Sequence, residues 1–197
     1  DLNTGELKNV ITEGEWLVRD VLHFDSKRRE ILLQAAGCDK NISPYYRDIC
    51  KVNIDSGILT PLATGCFEHI VHNQTYFSLG VIADLGLANF DTNGVSPSGQ
   101  YLVTTRSRVD TAPESILIDR EGREILTIET ADVSGLPSDW VWPEPVKLKG
   151  ADNLTDIYAV VFRPPGFSPD ETYPVVEYSA STRSLSNLPQ SSFTNSP

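Results

Sequence analysis

Val52 to Gly65 reads VNIDSGILTPLATG. An apolar residue leads into a turn made of Asn, Asp, Ser and Gly, and a second β-leaning run follows. The phrase has an echo at Asp1 to Gly14, DLNTGELKNVITEG, with Gly5 in the place of Gly57. A third version, IDREGREILTI, covers Ile118 to Ile128 with Gly122 in that place. The glycines are 52 and 65 residues apart. An Asn- or Asp-bearing turn closed by Gly and followed by a hydrophobic run, returning at such intervals, predicts stacked supersecondary units.

The first interval holds four strand-like pieces. Glu15 to Phe24 alternates, with Trp16, Val18, Leu22 and Phe24 apolar. Asp25 to Arg29 is a charged turn, and Glu30 to Ala36 is a buried-type strand. Gly37 to Pro44 is a loop; Tyr45 to Asn53 and Ile58 to Ala63 complete the set. Four short strands per unit is the pattern of a propeller blade. The second interval carries Val95-Ser96-Pro97-Ser98-Gly99-Gln100-Tyr101, a Ser-Pro-x-Gly turn running into a strand. Phe67 to Phe90 is less regular and reads as an insertion or a lengthened first strand. The predicted fold is mainly β: about two four-stranded antiparallel blades of a partial propeller.

Ala131 to Pro145 is broken by Gly135, Pro137, Pro143 and Pro145. That composition marks a linker, with a boundary near Trp140 to Val146. Beyond it lies IYAVVFRPPGFSPDETYPVVEY, Ile157 to Tyr178. Pro164 and Pro165 lack amide donors and end the first apolar run. Pro174 stands at the start of the second run, where a missing donor is tolerated. The expectation is strand, stiff turn, strand. The chain therefore divides into a propeller portion, residues 1–140, and a linker with an opening hairpin, residues 141–197.

Composition excludes several function classes. The net charge of −11 opposes nucleic acid, which demands basic patches, and anionic membrane surfaces. No apolar run reaches the roughly 18 residues of a membrane span. Asp1 to Val10 is polar and turn-like, without a leader pattern, and reads as chain entered in mid-fold. Three cysteines, Cys38, Cys50 and Cys66, are too few for a disulfide framework. Cys38 and Cys50 flank a predicted hairpin loop; they either meet across it or stand as buried thiols. Sequons begin at Asn41, Asn73 and Asn153, a motif short enough to arise by chance. The compartment stays open.

Several phrases carry a family resemblance. ITEGEWLVRDVLHFD, RDICKVNIDSGILTPLATG and TTRSRVDTAPESILIDREG occur in that order, and the Ile157–Tyr178 hairpin follows. Ser107 to Pro113 and Trp142-Pro143-Glu144 add to them. Together they resemble the dipeptidyl peptidase IV branch of the prolyl oligopeptidase family of serine peptidases. The resemblance implies a propeller capping an α/β-hydrolase domain, the first strands of which this chain would contain. It implies release of N-terminal dipeptides, often after Pro or Ala, by acyl-enzyme chemistry. Its partners would be a peptide substrate and the rest of the propeller and hydrolase domain, usually in a homodimer. No metal or organic cofactor is implied. Relatives are often secreted, periplasmic or membrane-anchored.

In such enzymes the nucleophilic serine sits on a Gly-x-Ser-x-Gly elbow, with Asp and His later in the chain. All three would follow the segment present here. Gly94-Val95-Ser96-Pro97-Ser98 fails that pattern at its last position and precedes a propeller strand. One functional position falls within reach. The second hydrolase strand of the branch ends in a tyrosine whose hydroxyl donates to the developing oxyanion, a preorganised donor. The family's spacing puts it at Ala180; Tyr178 stands two residues early, on the same strand face but about 7 Å away. Tyr178 is the candidate oxyanion donor, with a plain strand tyrosine as the other reading. Residues 179–188 read as a replacement at the oxyanion loop. A chain lacking the triad is expected to be inactive by itself; a non-catalytic peptide- or protein-binding module is the alternative.

The remaining polar residues read as structural. His69 and His72 are expected on a loop or in solvent, and His23 in a strand core or edge. Arg106, Arg108 and Asp110 are expected to pair with one another or to face a channel. Tyr45 and Tyr46 are expected to pack, and Trp140 and Trp142 to cover a domain junction.

Overall fold

The computed structural model describes residues 3–71 and 94–177. Ten strands are present among the described residues, with no helix. β1 (Leu17–Asp25), β2 (Glu30–Ala36), β3 (Arg47–Asn53) and β4 (Leu59–Ala63) form one antiparallel sheet in sequential order. β5 (Glu68–Ile70), β6 (Tyr101–Arg108), β7 (Thr111–Asp119) and β8 (Glu124–Thr130) form a second in the same up-and-down order. These are the two blade-like units that the repeated turn predicts.

The turns explain the repeat. Asp119 Oδ1 accepts from the amides of Glu121 and Arg123, both at 2.9 Å, and Gly122 supplies a φ of +82°. In the earlier copy Asn53 Oδ1 does this work, accepting from Asp55 N at 3.1 Å and Ser56 N at 3.0 Å, and Gly57 has a φ of +70°. Asp55, the aspartate of this copy, pairs with Arg29 instead at 2.6 Å. Short acceptors that hold turn amides, followed by a residue free to go left-handed, are what these positions select.

Proline and bulges are placed where a sheet tolerates them. Pro61 lies on β4, the edge strand, beside a register shift at Ile49/Cys50. Pro113 lies on the central β7 opposite the shift between Arg106 and Arg108, where the ladder is already broken. β1 departs from its simple alternation. Shifts at Val18/Asp20 and Val21/His23 leave Leu22 buried, while Val18, Val21 and Phe24 stay exposed. Leu7 to Thr12, the run that follows the first copy of the turn, pairs with no described strand, and Leu7 is 79% exposed.

The two sheets share one core. Leu22, Ile49 and Ala63 of the first pack with Leu102, Ile116 and Ile118 of the second, and Val71 joins them. The opposite face of the first sheet holds a smaller cluster, Leu33, Ala35, Cys50 and Val52, closed by Trp16, Ile31, Cys38 and Leu59. Every residue of β8 is exposed, Ile125, Leu126 and Ile128 included.

Gly122 sits where the second sheet touches the first. A Cβ built there would lie 2.5 Å from the carbonyl oxygen of Leu62 and 2.8 Å from its Cα. Those are backbone atoms of β4 and cannot swing aside. Gly122→Ala combines that clash with a left-handed backbone, and its expected cost is about 2 kcal/mol or more. The urea midpoint checks it; a midpoint within error of the parent would refute the close approach.

β9 (Glu144–Lys149) and β10 (Asp156–Val161) make a separate two-stranded antiparallel hairpin. Here the expected pairing changes. β10 occupies the first apolar run of the Ile157–Tyr178 stretch, but its partner is the upstream β9, in a register that joins Ile157 to Leu148 and Val161 to Glu144. Residues 172–177 carry no strand. The Asp152 carboxylate, which accepts from the amides of Leu154 and Thr155 at 2.9 Å, builds the connecting turn. Such a local turn closes a hairpin at small entropic cost, whereas the Pro-Pro segment turns the chain away.

Candidate functional site

Tyr178, the residue nominated as oxyanion donor, lies outside the described residues, as does the 179–188 stretch. The segment leading to it is ordered by its own side chains. After β10, Arg163 pairs with Glu144 and lies 4.7 Å from the centre of the Phe167 ring. Phe167 packs on Tyr173 at 5.1 Å. The Tyr173 hydroxyl accepts from Ser168 N at 3.0 Å and donates to Glu171 at 3.1 Å. This aromatic turn fixes the path of residues 163–173.

Ser96, the serine of the rejected elbow, is a turn residue. Its carbonyl accepts from Gly99 N at 2.8 Å and its hydroxyl from Tyr101 N at 3.1 Å. The Ser98 hydroxyl, 3.2 Å away, is its other side-chain neighbour among the described residues.

The densest group of chemistry-bearing side chains lies between the sheets. Glu68 on β5 is 1% exposed. It accepts from the Arg47 amide at 2.8 Å and pairs with the Arg47 guanidinium, so the contact ties β3 to β5. Burial raises the Glu68 carboxyl against the opposing pull of Arg47. Asp48, also buried, is pushed up to about 6, chiefly by desolvation and then by the charges of Asp39 and Glu68. His69 is 3% exposed, and burial lowers its imidazole to about 4, outweighing the adjacent Thr64 backbone. Its own carbonyl accepts from Gln34 Nε2 at 2.8 Å.

His69 is therefore a neutral core histidine on a strand; the expected loop or solvent position does not hold for it. The reason is the strand period. Glu68 and His69 point to opposite faces of β5, and here both faces are covered. His72 lies outside the described residues. Among the described residues no cluster of His, Cys, Asp and Glu has the grouping to hold a metal ion.

The arginines resolve into local pairs. Arg106 Nε donates to Glu114 at 2.7 Å and Nη1 to Glu124 at 3.0 Å. Arg108 forks onto Asp110, the Nε contact being 2.7 Å. The arginine that sequence reading missed is Arg120. It reaches from the second sheet to Glu30 and Asp25 of the first, while Lys51 Nζ donates to its carbonyl at 3.1 Å. Its position directly after Asp119 in the repeated turn was the available signal. His23 lines the cleft beside this clasp, against Gly99. The cleft measures about 30 Å³, room for a water and far below the roughly 300 Å³ of a ligand pocket.

Tyr45 packs as expected. Tyr45 meets Tyr158 of β10 edge-on at 5.6 Å, a contact between the first sheet's loop and the hairpin. Trp140 and Trp142 meet at 6.1 Å in the linker. Cys38, Cys50 and Cys66 are free thiols, half-buried, buried and exposed respectively. Asn41 and Asn153 stand on exposed turns, and Asn73 lies outside the described residues. Among the described residues, no helix is long and apolar enough to cross a membrane.

Comparison with known proteins adds the following. The family model for the dipeptidyl peptidase IV N-terminal region matches residues 1–113. None of the curated proteins matches the chain. A crystal structure of a candidate dipeptidyl aminopeptidase IV from Bacteroides ovatus ATCC 8483 superposes with a TM-score of 0.60 at 24% identity. The superposition covers 83% of this chain and 20% of that one. At that identity the likeness concerns the fold: two antiparallel blades of a partial propeller.

Proposed function

Since the chain belongs to the dipeptidyl peptidase IV N-terminal region family, we propose that it is a portion of a serine exopeptidase releasing N-terminal dipeptides, often after Pro or Ala. In this reading residues 1–140 are late propeller blades, and residues 141–197 are the linker and the opening strands of the hydrolase domain. The observation that carries it is the family match over residues 1–113. The chain spans about a fifth of the length of its structural neighbour, so the bond-breaking groups are assigned to sequence outside these residues. The buried charges seen here then serve the scaffold: Arg47–Glu68 and Arg120–Glu30 hold one blade to the next. Exposed apolar side chains on β1 and β8 fit contact with further blades.

The test is an assay of the purified 197-residue chain on Ala-Pro and Gly-Pro chromogenic amides, beside labelling with a fluorophosphonate. We expect neither turnover nor label. Hydrolysis that a fluorophosphonate abolishes would place a nucleophilic serine within these residues and overturn the reading. The coding sequence beyond Pro197 separates the alternative. A Gly-x-Ser-x-Gly followed by Asp and His supports the peptidase; an immediate stop supports a non-catalytic binding module.

A further inference from the structure

We propose that Cys38 and Cys50 are an oxidisable pair, forming a disulfide that staples the β2–β3 connection by exchange with a small-molecule disulfide. The inference is independent of the peptidase reading.

The fold brings the two thiols together from opposite ends of the 37–46 loop. Cys50 is on β3 directly across from Leu33, and Asp48 is across from Ala35. These four residues therefore share one face of the sheet. Cys38 would continue past β2, but Gly37 turns the chain with a φ of +79°. The half-buried Cys38 then folds back onto the cluster of Leu33, Ala35, Cys50 and Val52. The two thiols thus sit on one apolar cluster, close enough for each to act on the other's charge. A disulfide needs a Cβ separation of about 3.5–4.5 Å, and the shared cluster is what brings the two side chains toward it. Cys66 is exposed and stands outside the cluster that holds the pair.

Burial differs across the pair and sets the order of events. Cys50 is 1% exposed, so a bulky disulfide cannot reach it. Cys38 can be reached. Its thiolate attacks one sulfur of oxidised glutathione and displaces one glutathione thiolate. Cys50 then gives up its proton and attacks the Cys38 sulfur of the mixed disulfide, displacing the second glutathione. The two thiols lose two electrons and two protons, and oxidised glutathione becomes two reduced molecules. Burial and the Asp48 charge hold both thiols above their ordinary range, so exchange is slow at neutral pH and quickens toward pH 9.

The staple has a structural consequence. The bridged loop carries Tyr45, which packs on Tyr158 of the β9–β10 hairpin. Oxidation would hold that contact from the blade side.

Trypsin makes the bond directly readable, because Lys40 and Arg47 lie between the cysteines. The full chain is equilibrated at pH 8 with oxidised or reduced glutathione, alkylated, digested without reductant and mapped by mass. The expected product in the oxidised sample is Glu30–Lys40 linked to Asp48–Lys51, about tenfold or more above the reduced control, with Cys66 left to the alkylating agent or glutathione. In Cys50→Ala, a glutathione adduct should accumulate on Cys38. In Cys38→Ser, Cys50 should remain reduced. Recovery of both thiols as alkylated residues, an adduct resting on Cys38 in the parent, or a bond to Cys66 would overturn the proposal. Should Cys50→Ala not fold, the parent map and Cys38→Ser decide it.

Discussion

Replacing Arg47 by Met should destabilise the chain by about 3–5 kcal/mol, the range for removing one partner of a buried ion pair. Glu68 is 1% exposed and lies between the sheets, so water cannot take over from the lost guanidinium. The cost is the desolvated carboxylate left behind, more than any attraction forfeited. Two companion variants separate these. Glu68→Gln keeps the acceptor for the Arg47 amide, 2.8 Å away, and should cost less than Arg47→Met. Arg47→Met combined with Glu68→Gln should recover much of the loss. Urea midpoints of the four proteins form the cycle. A double variant as unstable as Arg47→Met alone would show that packing, and not the stranded charge, sets the effect.

The second large effect is in the pH profile. Asp48 on β3 and His69 on β5 belong to different sheets and are shifted in opposite directions. Asp48 is raised to about 6 from an ordinary 3.8. Its contribution is fully present below pH 3.8 and is lost as pH rises through 6. His69 is lowered to about 4 from 6.5. Its contribution is present above pH 6.5 and is lost as pH falls through 4. Each is on the order of 2 kcal/mol. Between pH 4 and 6.5 the two slopes oppose each other, and the parent profile should be shallow. Asp48→Asn should make stability climb with pH across that window, and His69→Gln should make it fall. Urea midpoints at pH 4, 5, 6 and 7 read both. Profiles for Asp48→Asn and the parent that run parallel would remove Asp48 from the account.

Eight of the ten described strands are legible in the amino-acid sequence, and the reason is specific. β1 to β4 follow from alternation and from three turns whose Asn, Asp and Gly residues leave the backbone little choice. β6, β7 and β8 follow from the Ser-Pro-x-Gly turn and from Asp119–Gly122. Those are local signals. The hairpin partner of β10 was not local in the same way. An apolar run announces a strand but does not say which neighbour it will take, and here the Asp152 turn outcompeted the Pro164-Pro165 turn. The three-residue β5 was hidden for a different reason: Glu68-His69-Ile70 is too short and too polar to signal a strand.

The candidate site divides likewise. The family phrases and the missing Gly-x-Ser-x-Gly were legible as text. Which charges become buried was not. His69 was expected near solvent because a histidine beside a glutamate looks polar in one dimension.

The amino-acid order alone determined the repeating turn, the blade-like strand sets and the family, because each rests on residues a few positions apart. Only the tertiary structure decided that Arg47 meets Glu68, that Arg120 crosses to Glu30, and that Cys38 lies against Cys50. Those pairings arise when two sheets stack on one core, and stacking sets dielectric, distance and partner together.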